Sequence, residues 1–196
     1  MRLLIATTNA NKVCEIRPLL ARLPIELVAL ADLPAIPEPE ETAHTFWENA
    51  RIKALGYAAA TGMTVVAEDS GLAIGALGGE PGVQSARFLG PNVPYETRFE
   101  EIYRRMAAAP RCTPHARFVT ALCLARGEEI LFETETAIDG TVASSPAGRN
   151  GFGYDPIFYC ALLDKTTGEL TIEEKTWVSH RARAFRDLAR YLQERR

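Results

Sequence analysis

The feature that most constrains the fold of this chain is an apolar run that ends in two adjacent carboxylates and a hydroxyl, at residues 65–71 (VVAEDSG). The apolar residues 63–67 predict a buried strand, and Gly71 predicts a turn after it. Carboxylates are seldom placed at the mouth of a buried strand for packing, because an unpaired buried charge is costly. In α/β sheets, ligands bind beyond the carboxyl ends of the strands. We therefore expect Asp69 at a ligand site, although an acidic strand-to-turn junction explains this segment about equally well when it is taken alone.

The two adjacent acids, Glu68 and Asp69, are expected to act separately. Successive strand residues point to opposite faces of a sheet, so the two side chains need not serve one ion. One of them is then expected to work with a carboxylate from elsewhere in the chain. The segment 31–41 holds three prolines and three glutamates, which exclude a regular helix or central strand and predict a stiff acidic loop.

The first strand, the polar loop after it and the following helix predict an anion site. Residues 2–7 are expected to form a strand, and residues 7–12 (TTNANK) form the loop, with Asn9 as the helix N-cap. Free backbone N–H groups and the helix dipole both favour phosphate at such a position, and Lys12 adds a positive charge. The segment lacks the spacing of a Walker A loop, and an ordinary capped helix remains the alternative.

The remaining periodicity predicts a mixed α/β fold. We expect a strand at 25–30, a helix at 42–61, an irregular glycine-rich loop from Gly71, a helix at 95–108 and a hairpin of strands at 116–125 and 130–138. The change from βαβ order to a hairpin indicates either one mixed sheet or a second lobe, with a cleft between the lobes.

Two later segments offer groups that suit a nucleotide. Residues 146–158 combine several glycines with Phe152 and Tyr154, on whose rings a base can stack for roughly 1–3 kcal/mol, although such clusters also occur in plain turns. Ser179 is predicted to cap the last helix, which places His180 and Arg181 in its first turn. Because the helix dipole disfavours cations there, we expect these side chains to meet an anionic or carbonyl-bearing partner.

Composition narrows the classes of function. A formal net charge of -3 argues against sequence-independent binding to nucleic acid or to a membrane surface. We expect no signal peptide and no membrane span, because the apolar stretches are short. Four widely spaced cysteines, Cys14, Cys112, Cys123 and Cys160, favour neither a zinc site nor disulfides. We therefore expect reduced thiols and a cytoplasmic location.

Five segments, in order, resemble the inosine/xanthosine triphosphate pyrophosphatase family, also called the RdgB or Ham family. They are residues 7–12 (TTNANK), 45–50 (TFWENA), 67–72 (AEDSGL), 151–158 (GFGYDPIF) and 179–181 (SHR). The resemblance implies one α/β domain of residues 1–196, with a central mixed sheet, flanking helices and two lobes around an active-site cleft. It implies a homodimer that hydrolyses ITP, dITP and XTP to the monophosphate and pyrophosphate with Mg²⁺. It thus implies a purine nucleoside triphosphate as the small-molecule substrate, with no nucleic-acid and no membrane partner.

The resemblance also implies roles for individual residues. Asp69 would be the general base and a metal ligand, Glu40 or Glu41 the companion carboxylate, and Glu68 a further candidate metal ligand. The residues implied to bind substrate are Thr7, Thr8, Asn9, Ala10, Asn11, Lys12, Lys53, Ser70, Phe152, Gly153, Tyr154, Asp155, Lys175, Ser179, His180 and Arg181.

Four residues depart from the usual pattern of that family. Thr8 and Asn11 stand where it often has glycine, Glu68 where it often has aspartate, and Ala182 where glycine often follows Ser-His-Arg. Each replacement is small or keeps the charge, so we expect altered affinity and retained activity. Thr8 is the sharpest departure, because a β-branched residue cannot easily take a positive φ.

Two other functions fit the same segments. A related pyrophosphatase that acts on dTTP, UTP or modified nucleotides would keep the acids and change only the base pocket. A nucleotide-binding protein that has lost catalysis would also be compatible with Thr8, Asn11 and Glu68. Metal-dependent turnover distinguishes both enzymes from the binding protein, and base preference distinguishes the two enzymes.

Overall fold

A computed structural model describes residues 1–109 and 113–195 of the chain. Within these residues, the strands are β1 Arg2–Ile5, β2 Glu26–Ala29, β3 Thr64–Ile74, β4 His115–Arg126, β5 Glu129–Val142, β6 Phe158–Cys160 and β7 Lys165–Thr166. The helices are α1 Ala10–Leu20, α2 Phe46–Thr61, α3 Tyr95–Ala108, α4 Ile172–Val178 and α5 His180–Glu194. The strands form a mixed sheet in the order β2-β1-β3-β4-β5-β6-β7, which confirms the predicted mixed α/β class.

Parallel pairing at the N-terminal end of the sheet determines where the two adjacent acids lie. β1 pairs in parallel with β2 and also with β3, where Ile5 is opposite Val66. β1 ends at Ile5, and the N–H of Ala6 donates to the carbonyl of Val66 at 2.9 Å. Glu68 and Asp69 therefore lie beyond the carboxyl end of β1, which is the edge where ligands bind in parallel sheets.

The predicted end of the third strand is wrong, because β3 continues through Gly71 to Ile74. A Cβ at position 71 would lie 2.3 Å from Oγ of Ser85, so only glycine lets the strand pass this close to its neighbour. The N–H of Leu72 donates to the same Oγ at 2.9 Å. Gly71 therefore serves close packing inside a strand, and Asp69 lies within β3 instead of after it.

The caps of two helices follow the predicted local chemistry. Asn9 precedes α1 in an extended conformation, and its Oδ1 accepts from the N–H of Asn11 at 2.9 Å. Ser179 precedes α5, and its Oγ accepts from the N–H of Ala182 at 3.1 Å. These bonds satisfy N–H groups that have no partner inside the helix, so both predicted helix starts are confirmed.

The other boundaries agree with the predictions to within two residues, except for the start of α2 and for the end of β5, which lies at Val142 and not at residue 138. α2 begins at Phe46 and not at residue 42, because Thr45 caps the helix. Oγ1 of Thr45 accepts from the N–H of Glu48 at 3.2 Å and donates to its carboxylate at 2.7 Å. α3 has its predicted bounds, and β4 and β5 form the predicted hairpin around the turn at 127–128.

The chain forms two compact units, each with its own apolar core. Unit 1 comprises Met1–Asp69, Thr120–Thr136 and Ser179–Arg196, and unit 2 comprises Ser70–Val119 and Ala137–Val178. Unit 1 buries two apolar clusters, one of which contains Leu3, Ile16, Leu20, Ala184, Phe185 and Leu188. The core of unit 2 includes Leu72, Ile74, Phe99, Ile102 and Phe158.

Two predictions from composition can be compared with the described residues. Cys14, Cys123 and Cys160 are free thiols, as predicted, and Cys112 lies outside the part of the chain that the structure describes. In that same part, none of the helices combines the length and the apolar character needed to cross a membrane.

Candidate active site

A buried cluster in unit 1 surrounds the carboxylate of Asp69, which is 7% exposed. Nδ2 of Asn49 donates to its Oδ2 at 3.2 Å, and Nζ of Lys53 lies 3.5 Å from its Oδ1. The same Nζ lies 2.8 Å from Oε1 of Glu41. One ammonium group thus contacts two carboxylates. Asn49 and Lys53 are four residues apart on α2, which places them on one face of the helix.

The electrostatics of this cluster favour a carboxylate that can accept a proton. Burial raises the pKa of Asp69, Lys53 opposes this effect, and the negative charge of Glu41 adds to it. Burial on its own would lower the pKa of Lys53, but Asp69 and Glu41 outweigh burial and raise it, so Lys53 stays protonated. A carboxylate whose pKa is raised toward neutrality is a better general base than an ordinary surface aspartate.

Glu41 and Asp69 are suitable ligands for a divalent cation. Their repulsion contributes to the raised pKa of Asp69, and a cation bound to both would relieve it. Among the residues described (1–109 and 113–195), no three or more His, Cys, Asp and Glu side chains are grouped to hold a metal ion. Mg²⁺ does not need such a group, because it is usually bound by one or two carboxylates together with water and substrate phosphates. The pair therefore fits Mg²⁺.

Glu68 has a different set of partners, as expected from the alternation of side chains along a strand. Nε of Arg181 donates to Oε1 of Glu68 at 2.7 Å, and Nζ of Lys12 lies 3.3 Å from the same oxygen. Nη1 of Arg181 also donates to Oε2 of Glu15 at 2.6 Å. These four side chains form an ion network next to the N-terminus of α1, in which Glu68 and Arg181 are buried and Lys12 and Glu15 are partly buried.

The charges within this network are not evenly compensated. Burial would raise the pKa of Glu68, but Arg181 and Lys12 outweigh it and lower the pKa to about 2. Burial likewise disfavours the charged form of Arg181, yet Glu68 and Glu15 keep its pKa above the usual value. For Lys12, burial lowers the pKa, Arg181 lowers it further, and Glu68 only partly opposes them. An additional anion near Nζ would therefore stabilise charged Lys12.

The loop before α1, next to Lys12, is held by hydrogen bonds between its own residues. Asn9 occupies the cap, its own N–H donates to Oγ1 of Thr7 at 3.2 Å, and Thr8 and Asn11 are exposed. Thr8 does not have a positive φ, since positive φ among the described non-glycine residues is confined to two positions in unit 2. The objection from its β-branched side chain therefore does not apply.

A second cluster, in unit 2, is organised around the buried Asp155. Its Oδ2 lies 2.5 Å from Nζ of Lys175 and accepts from the N–H of Phe152 at 2.7 Å. Oγ1 of Thr167 donates to Oδ1 at 2.9 Å. The same Nζ lies 5.0 Å from the centroid of the Phe152 ring, within the range of a cation–π contact. Gly151 allows this close packing, since a Cβ there would lie 2.1 Å from Oδ2 of Asp155.

The two aromatic residues predicted to stack on a base occupy different environments. Tyr154 is 4% exposed, and its hydroxyl donates to the carbonyl of Ser85 at 3.0 Å. Its ring packs edge-on against Tyr95 in the core of unit 2, and burial raises the pKa of Tyr154 to about 12. Phe152 is only half-buried. Phe152 is therefore the better candidate for an aromatic contact with a ligand, and Tyr154 supports the core.

The predicted site residues divide between these two units. Unit 1 contains residues 7–12 and Ser179 together with Glu41, Lys53, Glu68, Asp69, His180 and Arg181. Unit 2 contains Ser70, Phe152, Gly153, Tyr154, Asp155 and Lys175. Glu40 is exposed and takes no part in the contacts described above.

Sequence reasoning missed three residues that hold the site residues in place: Glu15, Asn49 and Thr167. Glu15 follows Lys12 by three positions on α1, so helical spacing could have placed it on the same face. Asn49 lies in the segment 45–50 that carries the family resemblance, but no role was predicted for it, although it precedes Lys53 by one helical turn. Thr167 lies 12 residues from Asp155, and no local pattern indicates that contact.

Comparison with known proteins gives matches over nearly the whole chain. The sequence model of the Ham1 family matches residues 3–191. A protein of Exiguobacterium sp. described as dITP/XTP pyrophosphatase is 46% identical over 188 residues, which cover 96% of this chain and 95% of that protein. One of Symbiobacterium thermophilum with the same description is 46% identical and covers 94% of this chain and 91% of its own length.

Solved structures give the same result at the level of the fold. The HAM1 protein from Coxiella burnetii is 37% identical, with a TM-score of 0.90 and coverage of 99% of both chains. The Staphylococcus aureus Ham1 protein is 33% identical, with a TM-score of 0.88 and coverage of 100% of both chains.

Proposed function

This chain belongs to the Ham1 family, and from that premise we propose that it hydrolyses dITP, ITP and XTP to the monophosphate and pyrophosphate. Such an enzyme removes non-standard purine nucleotides from the nucleotide pool. The names of the relatives from Exiguobacterium and Symbiobacterium support the choice of substrate. The observation that carries the proposal is the buried carboxylate of Asp69, whose pKa is raised by burial while Lys53 and Asn49 hold it in place.

In the proposed reaction, Asp69 accepts a proton from a water molecule that attacks the α-phosphorus. The bond between that phosphorus and the bridging oxygen breaks, and pyrophosphate leaves with the oxygen. Asn49 fixes one carboxylate oxygen by its hydrogen bond at 3.2 Å, which orients the carboxylate. Positioning and charge stabilisation supply most of the catalysis in phosphoryl chemistry, so the fixed geometry is as important as the pKa.

Phosphate binding is assigned to the loop at residues 7–12, including Lys12. The pKa of Lys12 is lowered, and a bound phosphate would raise it again by stabilising the charged ammonium. Glu41 and Asp69 would hold Mg²⁺, which when bound would supply positive charge to neutralise the triphosphate. The metal roles of Glu40 and Glu68 stay predictions. The ion pair between Glu68 and Arg181 supports a structural role for Glu68.

Base recognition is assigned to Phe152, to the Asp155–Lys175 pair, and to His180 and Arg181. The 6-oxo group of hypoxanthine or xanthine accepts a hydrogen bond, whereas the 6-amino group of adenine donates one. Against N–H donors from His180 or Arg181, adenine would leave donors unpaired at a cost of about 1–3 kcal/mol. The homodimer implied by the family resemblance and the cytoplasmic location inferred from the thiols stay predictions.

The test is the release of pyrophosphate from dITP, ITP, XTP, ATP, GTP, dTTP and UTP, each with Mg²⁺ and with EDTA. We expect preference for the 6-oxopurines without a 2-amino group and loss of turnover in EDTA. Preference for dTTP or UTP would overturn the assignment of purine recognition to these residues. Measurable ITP binding without turnover on any nucleotide would make the chain a binding protein.

A matched pair of variants tests whether Asp69 is the general base. Asp69→Asn is expected to lower kcat by roughly 10²–10⁴-fold, the usual contribution of a positioned general base. Asp187→Asn removes a carboxylate from the surface of α5, where it pairs with Arg190, and is expected to leave kcat unchanged. Wild-type turnover in Asp69→Asn would remove Asp69 from the mechanism.

A further inference from the structure

The first turn of α5, which carries His180 and Arg181, is bonded to β5 through its backbone. Oγ1 of Thr136 on β5 donates to the carbonyl oxygen of His180 at 2.7 Å. A carbonyl at the first helical position already accepts from the N–H four residues later, but its oxygen has two lone pairs. Thr136 uses the second of them. The bond fixes the main chain at the residue next to Arg181, independently of any side chain of the turn.

A second hydroxyl bonds the same helix to the same strand at its far end. The hydroxyl of Tyr191 donates to the carbonyl of Leu131 at 2.6 Å, and the Tyr191 ring packs on Phe132 with centroids 4.7 Å apart. From His180 to Tyr191, 11 residues of helix rise about 16 Å, at ~1.5 Å each. From Thr136 to Leu131, five residues of strand span about 17 Å, at ~3.4 Å each. Because these lengths match, the two bonds together fix the axial position of α5 along β5.

We propose that Thr136 is a positioning residue that sets the axial position of His180 and Arg181 for recognition of the base; this inference rests on the proposed function. The side chain of Arg181 is also held by Glu68 and Glu15, but those bonds act on the guanidinium and not on the main chain. Loss of the Thr136 hydroxyl would let the turn shift along β5. A misplacement of about 1 Å can cost on the order of 10²-fold in rate.

The experiment compares two hydroxyl deletions on the same helix. Thr136→Val keeps the shape of the side chain and removes the bond near His180, and Tyr191→Phe removes the equivalent bond at the other end. The measured quantities are kcat/KM for ITP and for ATP, together with the melting temperature. Thr136→Val is expected to lower kcat/KM for ITP about tenfold and to narrow the ITP-to-ATP ratio at least fivefold. Tyr191→Phe is expected to lower the melting temperature similarly while keeping the ratio within about twofold of wild type.

Thr136→Ser restores a hydroxyl and is expected to restore the ratio. An unchanged ITP-to-ATP ratio of kcat/KM in Thr136→Val would overturn the proposal even if stability falls. A merely structural role would lower kcat/KM equally for both substrates. An equal narrowing in Tyr191→Phe would overturn it as well. Absence of turnover in the wild type would instead count against the proposed function. In that case, the ratio of the dissociation constants for ITP and ATP would be compared between the wild type and the two variants. Thr136→Ala replaces the valine variant if that variant does not fold.

Discussion

Replacing Glu68 with glutamine is expected to destabilise the protein through the loss of one buried charge. Glutamine has nearly the volume of glutamate, so the substitution changes the charge and little else. In the native chain, Oε1 of Glu68 lies 2.7 Å from Nε of Arg181 and 3.3 Å from Nζ of Lys12. The variant leaves Lys12 without this partner and leaves Arg181 with only Glu15 among the acids of the network.

The size of the effect follows from the pKa of Glu68, which falls from 4.5 to about 2. Each tenfold change in proton affinity corresponds to ~1.4 kcal/mol, so the ionised group contributes on the order of 3 kcal/mol. This agrees with the roughly 3–5 kcal/mol lost when one partner of a buried pair is removed. Because the folded pKa lies below the unfolded one, the contribution is fully present above about pH 4.5 and disappears as the pH falls toward 2. At pH 3, less than about half of it should remain.

Urea unfolding of wild type and variant at pH 7 and at pH 3 measures both quantities. The matched control is Glu26→Gln, which removes an exposed Arg–Glu pair whose atoms are 3.1 Å apart. Exposed pairs contribute little to stability, so the control should unfold close to wild type at both values. A loss in Glu68→Gln no larger than in Glu26→Gln would refute the reasoning. So would a loss that does not shrink between pH 7 and pH 3.

Two further predictions concern the site residues directly. Gly151→Ala places a Cβ within 2.1 Å of Oδ2 of Asp155 and should raise KM for ITP about tenfold. Gly127→Ala, also at positive φ but with nothing within 4 Å of the added Cβ, should leave KM nearly unchanged. Asn49→Asp replaces a donor to Asp69 with a negative charge, so it raises the pKa of Asp69 further. The acid limb of the pH profile of kcat/KM should then move to higher pH, because Asp69 must be deprotonated to act as the general base. An unmoved acid limb would count against Asp69 as the general base.

The features of the fold that sequence patterns predicted are those determined by neighbouring residues. Asn9 and Ser179 cap their helices because a short polar side chain reaches the N–H groups two or three residues later, which is a local interaction. The bounds of α3 follow from its apolar spacing in the same way. The register of β1 against β3 then places the acids at the predicted sheet edge, although no single segment contains that information.

The features that were missed depend on contacts between residues far apart in the sequence. Gly71 looked like a strand breaker, but its partner Ser85 lies 14 positions later and makes a glycine necessary inside the strand. The sequence around Tyr154 predicted a ring that is available for stacking on a base, but contacts with Tyr95 and Ser85 hold this ring in the core of unit 2. Neither contact leaves a periodic signal in the sequence, so only the folded chain reveals it.

The composition of the unit 1 core determines when this protein can fold during its synthesis. Leu3 of β1 and Ile16 of α1 leave the ribosome early, but Phe185 and Leu188 of α5 complete their cluster. At the usual rate of roughly 5–20 residues per second, the first strand waits on the order of ten seconds or more for these last partners. A chain interrupted before α5 would expose this apolar surface and would also lack Arg181. Incomplete chains should therefore be recognised by chaperones and proteases before they can bind a nucleotide.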